Sequence, residues 1–338
     1  MAYTVRIAET GESFEAAADE SILDAATRAG VRLPHECTFG GCGTCRIKVH
    51  EGAVDYEEFP MALTEEEHED GYALACQAHC RADMLIEPAG KGLEFAPSFA
   101  TTATVVKVEP LTPDINRLVL QLPEEVELDY RPGQYMNVVL PDGETRSFSM
   151  ASALLPDGQI DFHVRRIAGG RFTETLLREL KPGDALHVEL PLGTFCFHEE
   201  DWRPMILAAT GTGLAPIKAI LESLLDNDDC PPVTLYWGMR TEADLYMKDE
   251  IESWAGRLCE FRFVPVLSRP GEDWQGRRGY VQDAILEDHE DLSEYAFYLC
   301  GAPEMITQAK QLFVARGAEL DYIYSDSFTF QHATALAA

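Results

Sequence analysis

Alternating apolar and polar residues open the chain. Residues 3–7 and 13–17 follow the period of two that is typical of half-buried β-strands, and Thr10-Gly11 between them is suited to a hairpin turn. From Ser21 the spacing becomes helical: its hydroxyl can cap free amides, Asp24 and several apolar residues follow, and Gly30 closes the segment. The pattern predicts a strand hairpin followed by a helix.

Two further features mark the end of this first zone. Thr64, with Glu67 three residues later, predicts a second helix that begins with a capping box. Residues 88–97 then carry glycine and proline without periodicity, which is typical of a linker. We therefore expect a first domain at residues 1–97.

Short β segments separated by turn residues fill a second zone, residues 98–202. Pro-Gly, Asp-Gly and Gly-Gly pairs lie between the segments, and one helix is expected at residues 172–180. The predicted strands are residues 104–108, 117–121, 135–140, 146–150, 160–165 and 185–190. Closely spaced strands with turn signals predict an antiparallel β-barrel.

Strands and helices alternate in a third zone, residues 203–338. The predicted strands are residues 205–210, 233–237, 261–267, 295–299 and 322–324, and the predicted helices are residues 215–225, 245–254, 280–286 and 303–316. The connections are long enough for parallel pairing, so this zone predicts a doubly wound parallel α/β sheet. The whole chain is therefore expected to be a multi-domain protein of the α+β and α/β classes.

Composition and charge exclude several classes of protein. The 338 residues are 46% hydrophobic and 25% charged, which is ordinary for globular domains. The net charge of −31 repels nucleic-acid phosphates and anionic lipids, so neither nucleic acid nor a membrane is an expected partner. Because no apolar stretch approaches the ~18 residues of a membrane span and the first seven residues lack a signal-peptide layout, we expect a cytoplasmic protein.

Four of the nine cysteines have a spacing that indicates a metal centre. Cys37, Cys42 and Cys45 follow the pattern C-x4-C-x2-C, and Cys76 follows after thirty intervening residues. This spacing is that of the ligands of a plant-type [2Fe-2S] cluster. Glycines at positions 40, 41 and 43 allow backbone amides to approach the sulfurs. Two alternatives remain at this point: a structural zinc site that uses His79 or Cys80, and a cluster in which Cys80 replaces Cys76.

The residues around these cysteines resemble a known family. Two runs of residues are similar to the plant-type ferredoxin domain of multi-domain electron-transfer reductases. They are His35-Glu36-Cys37-Thr38-Phe39-Gly40-Gly41-Cys42-Gly43-Thr44-Cys45 and Leu74-Ala75-Cys76-Gln77. The resemblance implies a β-grasp fold for residues 1–97, with the four cysteines as cluster ligands.

The second zone resembles the flavin domain of the ferredoxin-NADP reductase superfamily. Arg146-Ser147-Phe148-Ser149 is similar to its Arg-x-Tyr-Ser signature, with Phe148 in place of the usual tyrosine. The resemblance implies that Arg146 neutralises the FAD pyrophosphate and that Ser149 lies beside the flavin ring. Gly169-Gly170-Arg171-Phe172-Thr173 is similar to the second flavin-phosphate element, in which Gly169, Gly170 and Thr173 offer amides and a hydroxyl to an anion.

The third zone resembles the pyridine-nucleotide domain of the same superfamily. A glycine-containing loop follows an apolar strand and opens a helix, so it can place phosphates at a helix N-terminus. Its sequence is Thr210-Gly211-Thr212-Gly213-Leu214-Ala215-Pro216. Pro216 occupies the position of the third glycine of the G-x-G-x-x-G pattern, as in the superfamily. The resemblance further implies that Cys300 lies beside the nicotinamide, with Gly301 and Pro303 shaping that turn.

The C-terminal element and the choice of nucleotide are also read from this resemblance. Asp326-Ser327-Phe328 is similar to the terminal acid-x-aromatic element, in which Phe328 covers the flavin and Asp326 bonds Ser149. Arg240 is suited to the 2′-phosphate of NADP, but a second basic or hydroxyl partner is not evident, and NADH is the expected donor.

Taken over its whole length, the chain resembles the reductase components of bacterial aromatic-ring dioxygenases, those of the benzoate type in particular. Flavin is needed because a hydride carries two electrons and a [2Fe-2S] cluster accepts one at a time. The expected path is therefore NADH to FAD to the cluster, and then to a Rieske-type terminal oxygenase. Three alternatives stay open: the reductase of a soluble diiron phenol, alkene or methane monooxygenase, a partner-free NADH oxidoreductase, and a non-catalytic redox sensor.

Overall fold

The computed structural model describes residues 2–31, 33–35, 38, 40, 43–88, 95–153, 155 and 158–328. The chain divides into two compact units. The first comprises Met1–Gly90, Gly301–Gln311 and Ser325–Ala338, and the second comprises Lys91–Cys300 and Leu312–Tyr324. The division into three domains with boundaries at residues 97 and 202 stays a prediction. No helix within the described ranges has the length and apolar character needed to cross a membrane.

A five-stranded mixed sheet is the core of the amino-terminal part of the first unit. The strands of this part are β1 (Ala2–Ile7), β2 (Ser13–Ala17), β3 (Arg46–Glu51), β4 (Val54–Asp55), β5 (Tyr72–Leu74), β6 (His79–Cys80) and β7 (Met84–Pro88). The large sheet has the order β2-β1-β7-β3-β5, and β4 pairs with β6. The predicted hairpin of β1 and β2 is confirmed, and β1 also pairs with β7 in parallel. This is the expected β-grasp arrangement.

Helix α1 (Ile22–Arg28) begins where its capping residue predicts. The Asp24 amide donates to the Ser21 hydroxyl at 3.0 Å, which satisfies one of the free amides of the first turn. The apolar side chains of the helix are buried, and Gly30 ends the segment with a φ of +76°. Both predictions for this helix are confirmed.

Helix α2 (Glu65–Glu69) has the predicted capping box. The Glu67 amide donates to the Thr64 hydroxyl at 3.1 Å, and the Thr64 amide donates to the Glu67 carboxylate at 2.7 Å. Each side chain therefore satisfies a backbone donor of the other residue.

Six antiparallel strands form the predicted barrel at the start of the second unit. They are β8 (Phe99–Pro110), β9 (Ile115–Gln121), β10 (Tyr135–Val139), β11 (Thr145–Ser149), β12 (Gln159–Arg165) and β13 (Ala185–Leu192). Their order is β11-β10-β13-β8-β9-β12, and a bridge between Met150 and Phe162 joins the two outer strands. Inward-facing residues of all six strands line one apolar core, because side chains alternate across each strand.

The helix expected at residues 172–180 differs from a regular α-helix. Residues Arg171–Leu176 form a π-helix, and only α3 (Leu177–Glu179) is α-helical. Pro182 lies two residues after Leu180, and its effect on the preceding residue ends the helix there.

A six-stranded sheet and its helices make up the third predicted zone. The strands are β14 (Met205–Thr210), β15 (Val233–Met239), β16 (Arg262–Leu267), β17 (Arg277–Arg278), β18 (Ala296–Gly301) and β19 (Ile323–Ser327). The helices are α4 (Leu214–Ser223), α5 (Lys248–Glu252), α6 (Val281–Asp288) and α7 (Pro303–Val314). Strand β14 pairs in parallel with both β15 and β18 in the order β17-β16-β15-β14-β18-β19.

The strand order reverses at β14, which is where open α/β sheets bind ligands. From β14 the chain proceeds outward through β15, β16 and β17, and it then returns to the other side of β14 as β18. A crevice is therefore expected at the carboxyl ends of β14 and β18. The helix predicted at residues 245–254 is shorter than expected: α5 covers only Lys248–Glu252, and a separate 3-10 turn at Glu242–Asp244 precedes it.

Candidate functional site

Two of the four predicted cluster ligands lie side by side in the first unit. Strands β3 and β5 pair so that Arg46 faces Leu74, and the Ala75 amide donates to the Cys45 carbonyl at 2.9 Å. This register brings the Cys45 and Cys76 sulfurs to 3.1 Å, and both side chains are buried. The separation exceeds the ~2.05 Å of a disulfide, so both residues are thiols, and their sulfurs converge where one metal atom can bind the two. Cys37 and Cys42 lie outside the described residues.

The described part of the loop between these ligands approaches its neighbours closely. The Gln77 side-chain amide donates to the Thr38 carbonyl at 2.9 Å. Gly40 has a φ of +76°, and a Cβ there would lie 2.8 Å from Pro60. A side chain at position 40 therefore meets both backbone strain and a steric contact. The close packing at Gly40 fits a tight loop of the kind that wraps an inorganic cluster.

Cys80, the alternative fourth ligand, lies on β6. Its strand pairs with β4, where Cys80 faces Val54. The side chain is fully buried, and burial raises the pKa of the Cys80 thiol to about 11. The choice of Cys76 over Cys80 as the fourth ligand stays a prediction.

The flavin candidates of the signature sequence lie on β11 in the second unit. Burial increases toward the end of this strand, with Ser147 exposed and Ser149 buried. The Phe148 ring packs against the Phe172 ring with the centroids 5.0 Å apart. Phe148 and Ser149 are therefore the last two residues of β11. The next residue, Met150, bridges to Phe162 and closes the barrel.

The glycine turn before the π-helix is closely packed around Thr173. The Ile167 amide donates to the Thr173 hydroxyl at 3.1 Å. A Cβ at Gly170 would lie 2.4 Å from that hydroxyl and 2.9 Å from the Ile167 carbonyl. The Gly169 amide donates to the Glu174 carboxylate at 2.6 Å, so an anionic group already lies at one of the predicted phosphate donors.

Two arginines converge next to this turn. Arg146 and Arg171 lie 2.9 Å and 3.0 Å from the same carboxylate oxygen of Glu144, and Arg171 is also 2.5 Å from Asp142. Paired guanidinium groups of this kind bind phosphate oxygens as well as carboxylates. The donor set therefore fits the pyrophosphate of FAD.

The predicted nucleotide loop occupies the carboxyl end of β14. Gly211–Gly213 forms a single 3-10 turn between β14 and α4, and Gly211 has a φ of +59°. The Trp237 indole donates to the Gly211 carbonyl at 3.0 Å and fixes the turn to β15. Thr212 lies in the turn, and Pro216 is buried in the first turn of α4. The Leu214 amide donates to the Thr212 carbonyl and Pro216 has no amide, so it is the positive end of the dipole of this ten-residue helix that fits a phosphate group.

Cys300 lies at the same edge of the sheet. It pairs with Ala209 across β18 and β14, and its side chain is buried. Gly301 follows with a φ of +148°, and Pro303 is the first residue of α7, where a missing amide costs little. The structure thus brings Cys300 beside the strand that leads into the Gly211 turn.

The C-terminal candidates belong to the last strand and the residue after it. Asp326 is a half-buried residue of β19, and the Phe328 amide donates to the Gly301 carbonyl at 2.8 Å. The expected hydrogen bond between Asp326 and Ser149 stays a prediction.

Sequence reasoning missed a buried lysine that joins the flavin strand to the nucleotide helix. Lys218 of α4 donates to the Ala151 carbonyl at 3.0 Å and lies 2.5 Å from Glu222. Glu222 in turn accepts from the Ala153 amide at 3.1 Å. Residues 151 and 153 directly follow β11, so one ion pair on the helix holds the chain after the flavin signature. A lysine and a glutamate four residues apart are a common surface pattern, which concealed this role.

Three protein-family models match the chain. They are a 2Fe-2S iron-sulfur cluster binding domain at residues 5–81, an oxidoreductase FAD-binding domain at residues 102–197 and an oxidoreductase NAD-binding domain at residues 207–311. The three matches follow one another in the order in which the cluster, flavin and nucleotide candidates occur.

Similar proteins cover nearly all of the chain. A CDP-6-deoxy-L-threo-D-glycero-4-hexulose-3-dehydrase reductase of Yersinia pestis is 33% identical, with 97% of this chain and 99% of the relative covered. The reductase component 1 of a Comamonas terephthalate 1,2-dioxygenase is 32% identical over 97% and 98% of the two chains. The phenol hydroxylase P5 protein of Acinetobacter pittii is 34% identical over 91% and 89%. A solved Amycolatopsis cytochrome P450 reductase is 34% identical with a TM-score of 0.72, and 97% and 99% of the chains are covered.

Proposed function

This chain belongs to the ferredoxin-NADP reductase superfamily as an electron-transfer oxidoreductase with [2Fe-2S], FAD and NAD domains, and we propose that it is the reductase component of an aromatic-ring dioxygenase system. Its proposed role is to take hydride from NADH and to deliver electrons singly to a Rieske-type terminal oxygenase. The observation that carries the proposal is the match of one chain to all three cofactor-binding domains. A chain that passed its electrons on in pairs would not need a one-electron cluster beside the flavin and nucleotide domains.

Each group of residues has a proposed task. FAD, when bound, supplies the change from two-electron to one-electron transfer. Arg146 and Arg171 neutralise its pyrophosphate, and the Gly169-Gly170 turn with Thr173 offers donors to the same anion. Ser149 and Asp326 are proposed to bond each other beside the flavin ring, which Phe328 covers. Gly211–Gly213 and Pro216 position the nucleotide phosphates, and Cys300, Gly301 and Pro303 shape the nicotinamide side.

NADH is the proposed donor because of the residues that follow β15. Arg240 is exposed there, but the next residue, Thr241, already hydrogen-bonds to a carboxylate. The Thr241 hydroxyl and amide both donate to the Asp244 carboxylate at 2.8 Å. A carboxylate at this position would repel a 2′-phosphate, so the local charge favours the nucleotide that lacks one.

The acceptor is proposed to dock on an acidic and aromatic patch of the cluster domain. Residues 1–97 contain 7 Lys+Arg and 19 Asp+Glu, which gives 7 − 19 = −12. Glu57 and Glu58 are exposed, and Phe59 and Met61 beside them are 43% and 56% exposed. The same segment meets the cluster loop, because the Ala62 amide donates to the Gly40 carbonyl at 2.9 Å. Charged rims and exposed aromatic residues are common at electron-transfer interfaces.

A second acceptor class is a soluble diiron monooxygenase. The phenol hydroxylase P5 protein favours it, since its similarity to this chain is as strong as that of the terephthalate dioxygenase reductase. The two acceptor classes differ in the oxygenase, and both would use the same path of electrons through this chain.

Reconstitution with purified oxygenases distinguishes these acceptors. The chain is mixed in turn with a Rieske-type ring dioxygenase and a diiron hydroxylase, and NADH oxidation is measured together with the hydroxylated product. We expect coupled turnover with the Rieske enzyme to exceed turnover with oxygen or quinone alone. Faster product formation with the diiron enzyme would move the assignment to the second class, and no coupling with either would overturn both acceptor classes.

Cys76→Ala is the internal control of this experiment. Loss of one cluster ligand should abolish delivery to any oxygenase, while NADH-dependent reduction of ferricyanide continues through the flavin. A variant that still supports the oxygenase would show that the path bypasses the cluster.

Neutral substitutions test the docking patch. Glu57→Gln with Glu58→Gln should slow oxygenase reduction several-fold at low salt, with the difference vanishing at high salt because exposed charges are screened. Glu9→Gln with Glu12→Gln, exposed acids at the β1–β2 hairpin of the same domain, are the matched control. Equal effects of the two pairs would indicate net charge alone and no local docking.

A further inference from the structure

Two thiols lie together at the amino-terminal edge of the nucleotide sheet. Cys230 and Cys259 each lie three residues before a strand, β15 and β16 respectively. Because these strands are adjacent and parallel, with Thr234 opposite Arg262, the two preceding loops enter the sheet side by side. The Val233 amide donates to the Cys259 carbonyl at 3.1 Å and fixes the loops to each other.

The backbone of one loop contacts the sulfur of the other. The Cys259 amide donates to the Cys230 sulfur at 3.3 Å, and the Cys230 thiol donates to the Pro231 carbonyl at 3.3 Å. The remaining partners of Cys259 are weak, since its sulfur lies 3.8 Å and 3.9 Å from the carbonyls of Asn227 and Asp228. Cys230 is buried, whereas Cys259 is partly exposed.

We propose that Cys230 and Cys259 form a redox-active dithiol that hydrogen peroxide oxidises to an intramolecular disulfide. The site lies at the opposite edge of the sheet from Gly211 and Cys300. It is therefore separate from the nucleotide site, and the proposal does not depend on the function proposed above.

The chemistry assigns different roles to the two thiols. Cys259 is the one that solvent reaches, so its sulfur attacks the peroxide, breaks the O–O bond and becomes a sulfenic acid as one water leaves. The Cys230 sulfur then attacks the Cys259 sulfur, and a second water leaves as the S–S bond forms. Two thiols lose two protons and two electrons, and one peroxide becomes two waters.

The burial of Cys230 fits the role of resolving thiol. Burial raises the pKa of the Cys230 thiol to about 11, and the Cys259 amide that donates to its sulfur acts in the opposite direction, so Cys230 is the less reactive thiol toward peroxide. A sulfenic acid on Cys259 would form on the residue whose amide already contacts the Cys230 sulfur. The geometry thus favours the disulfide over further oxidation of Cys259.

Peptide mapping of the intact holoprotein tests the proposal. The protein is treated with hydrogen peroxide, alkylated under denaturing conditions without reductant, and digested with trypsin. We expect residues 219–240 and 258–262 to appear as one cross-linked peptide, lighter than the sum of the two by two hydrogen atoms. Dithiothreitol should restore both as separate alkylatable peptides.

Three variants define the outcome. Cys259→Ser and Cys230→Ser should each abolish the cross-linked peptide, and Cys80→Ser, which changes a buried thiol elsewhere, should retain it. Recovery of both peptides as alkylated thiols after peroxide treatment would overturn the proposal. Recovery of Cys259 as sulfinic acid without a cross-link would overturn it equally.

Discussion

Lys218 forms a buried ion pair with Glu222, one helical turn further along α4. The two groups are 2.5 Å apart, and the lysine side chain is only 4% exposed. Burial raises the pKa of the Glu222 carboxyl, and the positive charge of Lys218 acts in the opposite direction. Both residues also bond the backbone that follows β11, at Ala151 and Ala153. The pair therefore links the flavin strand to the helix that begins at the nucleotide loop.

Lys218→Met should destabilise the second unit. The substitution keeps the aliphatic stem but leaves Glu222 and the Ala151 carbonyl without their cation, and removing one partner of a buried pair costs about 3–5 kcal/mol. Urea unfolding followed by flavin fluorescence measures the loss. The matched control is Lys248→Met, whose ammonium is 3.9 Å from Glu242 on a more exposed side chain and which should cost under ~1 kcal/mol. Equal losses of unfolding free energy in the two variants would contradict a stabilising role for the buried Lys218–Glu222 pair.

Gly170→Ala should weaken FAD binding by about tenfold or more, since a displaced turn misplaces the phosphate donors. The added Cβ would meet the Thr173 hydroxyl at 2.4 Å, so either the hydroxyl or the turn must move. Fluorescence titration of the apoprotein with FAD measures the dissociation constant. Gly271→Ala, at a glycine with open space around it, should leave FAD affinity unchanged. Unaltered affinity in Gly170→Ala would remove this turn from the flavin site.

Cys300→Ala should slow the hydride step by about tenfold, because small errors in the alignment of reacting atoms reduce rates strongly. Stopped-flow bleaching of the flavin by saturating NADH measures the step, and the KM for NADH should change little. Cys196→Ala removes a different buried thiol of the same unit and serves as the control. An unchanged bleaching rate in Cys300→Ala would place the thiol outside the nicotinamide site.

Protonation of the buried His163 should lower the free energy of unfolding when the pH falls below neutral. Burial lowers the pKa of His163 to about 4 from 6.5, although Asp161 nearby acts in the opposite direction. The unfolded chain thus binds the proton first, so stability is complete above pH 6.5 and is lost as the pH falls toward 4. A shift of this size corresponds to about 3 kcal/mol.

The pH dependence of His163→Gln provides the check. The amide can keep a hydrogen bond to the Tyr246 hydroxyl, which lies 3.2 Å from the imidazole, but it does not titrate. Free energies of unfolding between pH 7 and pH 4 should therefore fall less steeply in the variant than in the parent. Parallel curves would mean that other groups cause the acid sensitivity.

Features that depend on residues close together in the chain were predictable. The cap of α1 at Ser21 and the capping box at Thr64 follow from side chains that reach backbone amides three residues away. The alternation of strands and helices after residue 203 predicts a parallel sheet, because each connection is long enough for a crossover between parallel strands. The spacing of the cysteines identifies a cluster for a similar reason, since a short loop must present three of the four ligands.

Contacts between distant segments required the fold. Lys218 meets Ala151 across 67 residues, and nothing in the local pattern separates it from a surface lysine. Cys230 and Cys259 meet because β15 and β16 are neighbours, and many other strand orders would be compatible with the same alternation of elements. The amino-acid pattern thus decides which elements form and which chemistry they carry. Only their packing decides which buried charges and thiols become partners, because desolvation and contact depend on neighbours that are remote in the chain.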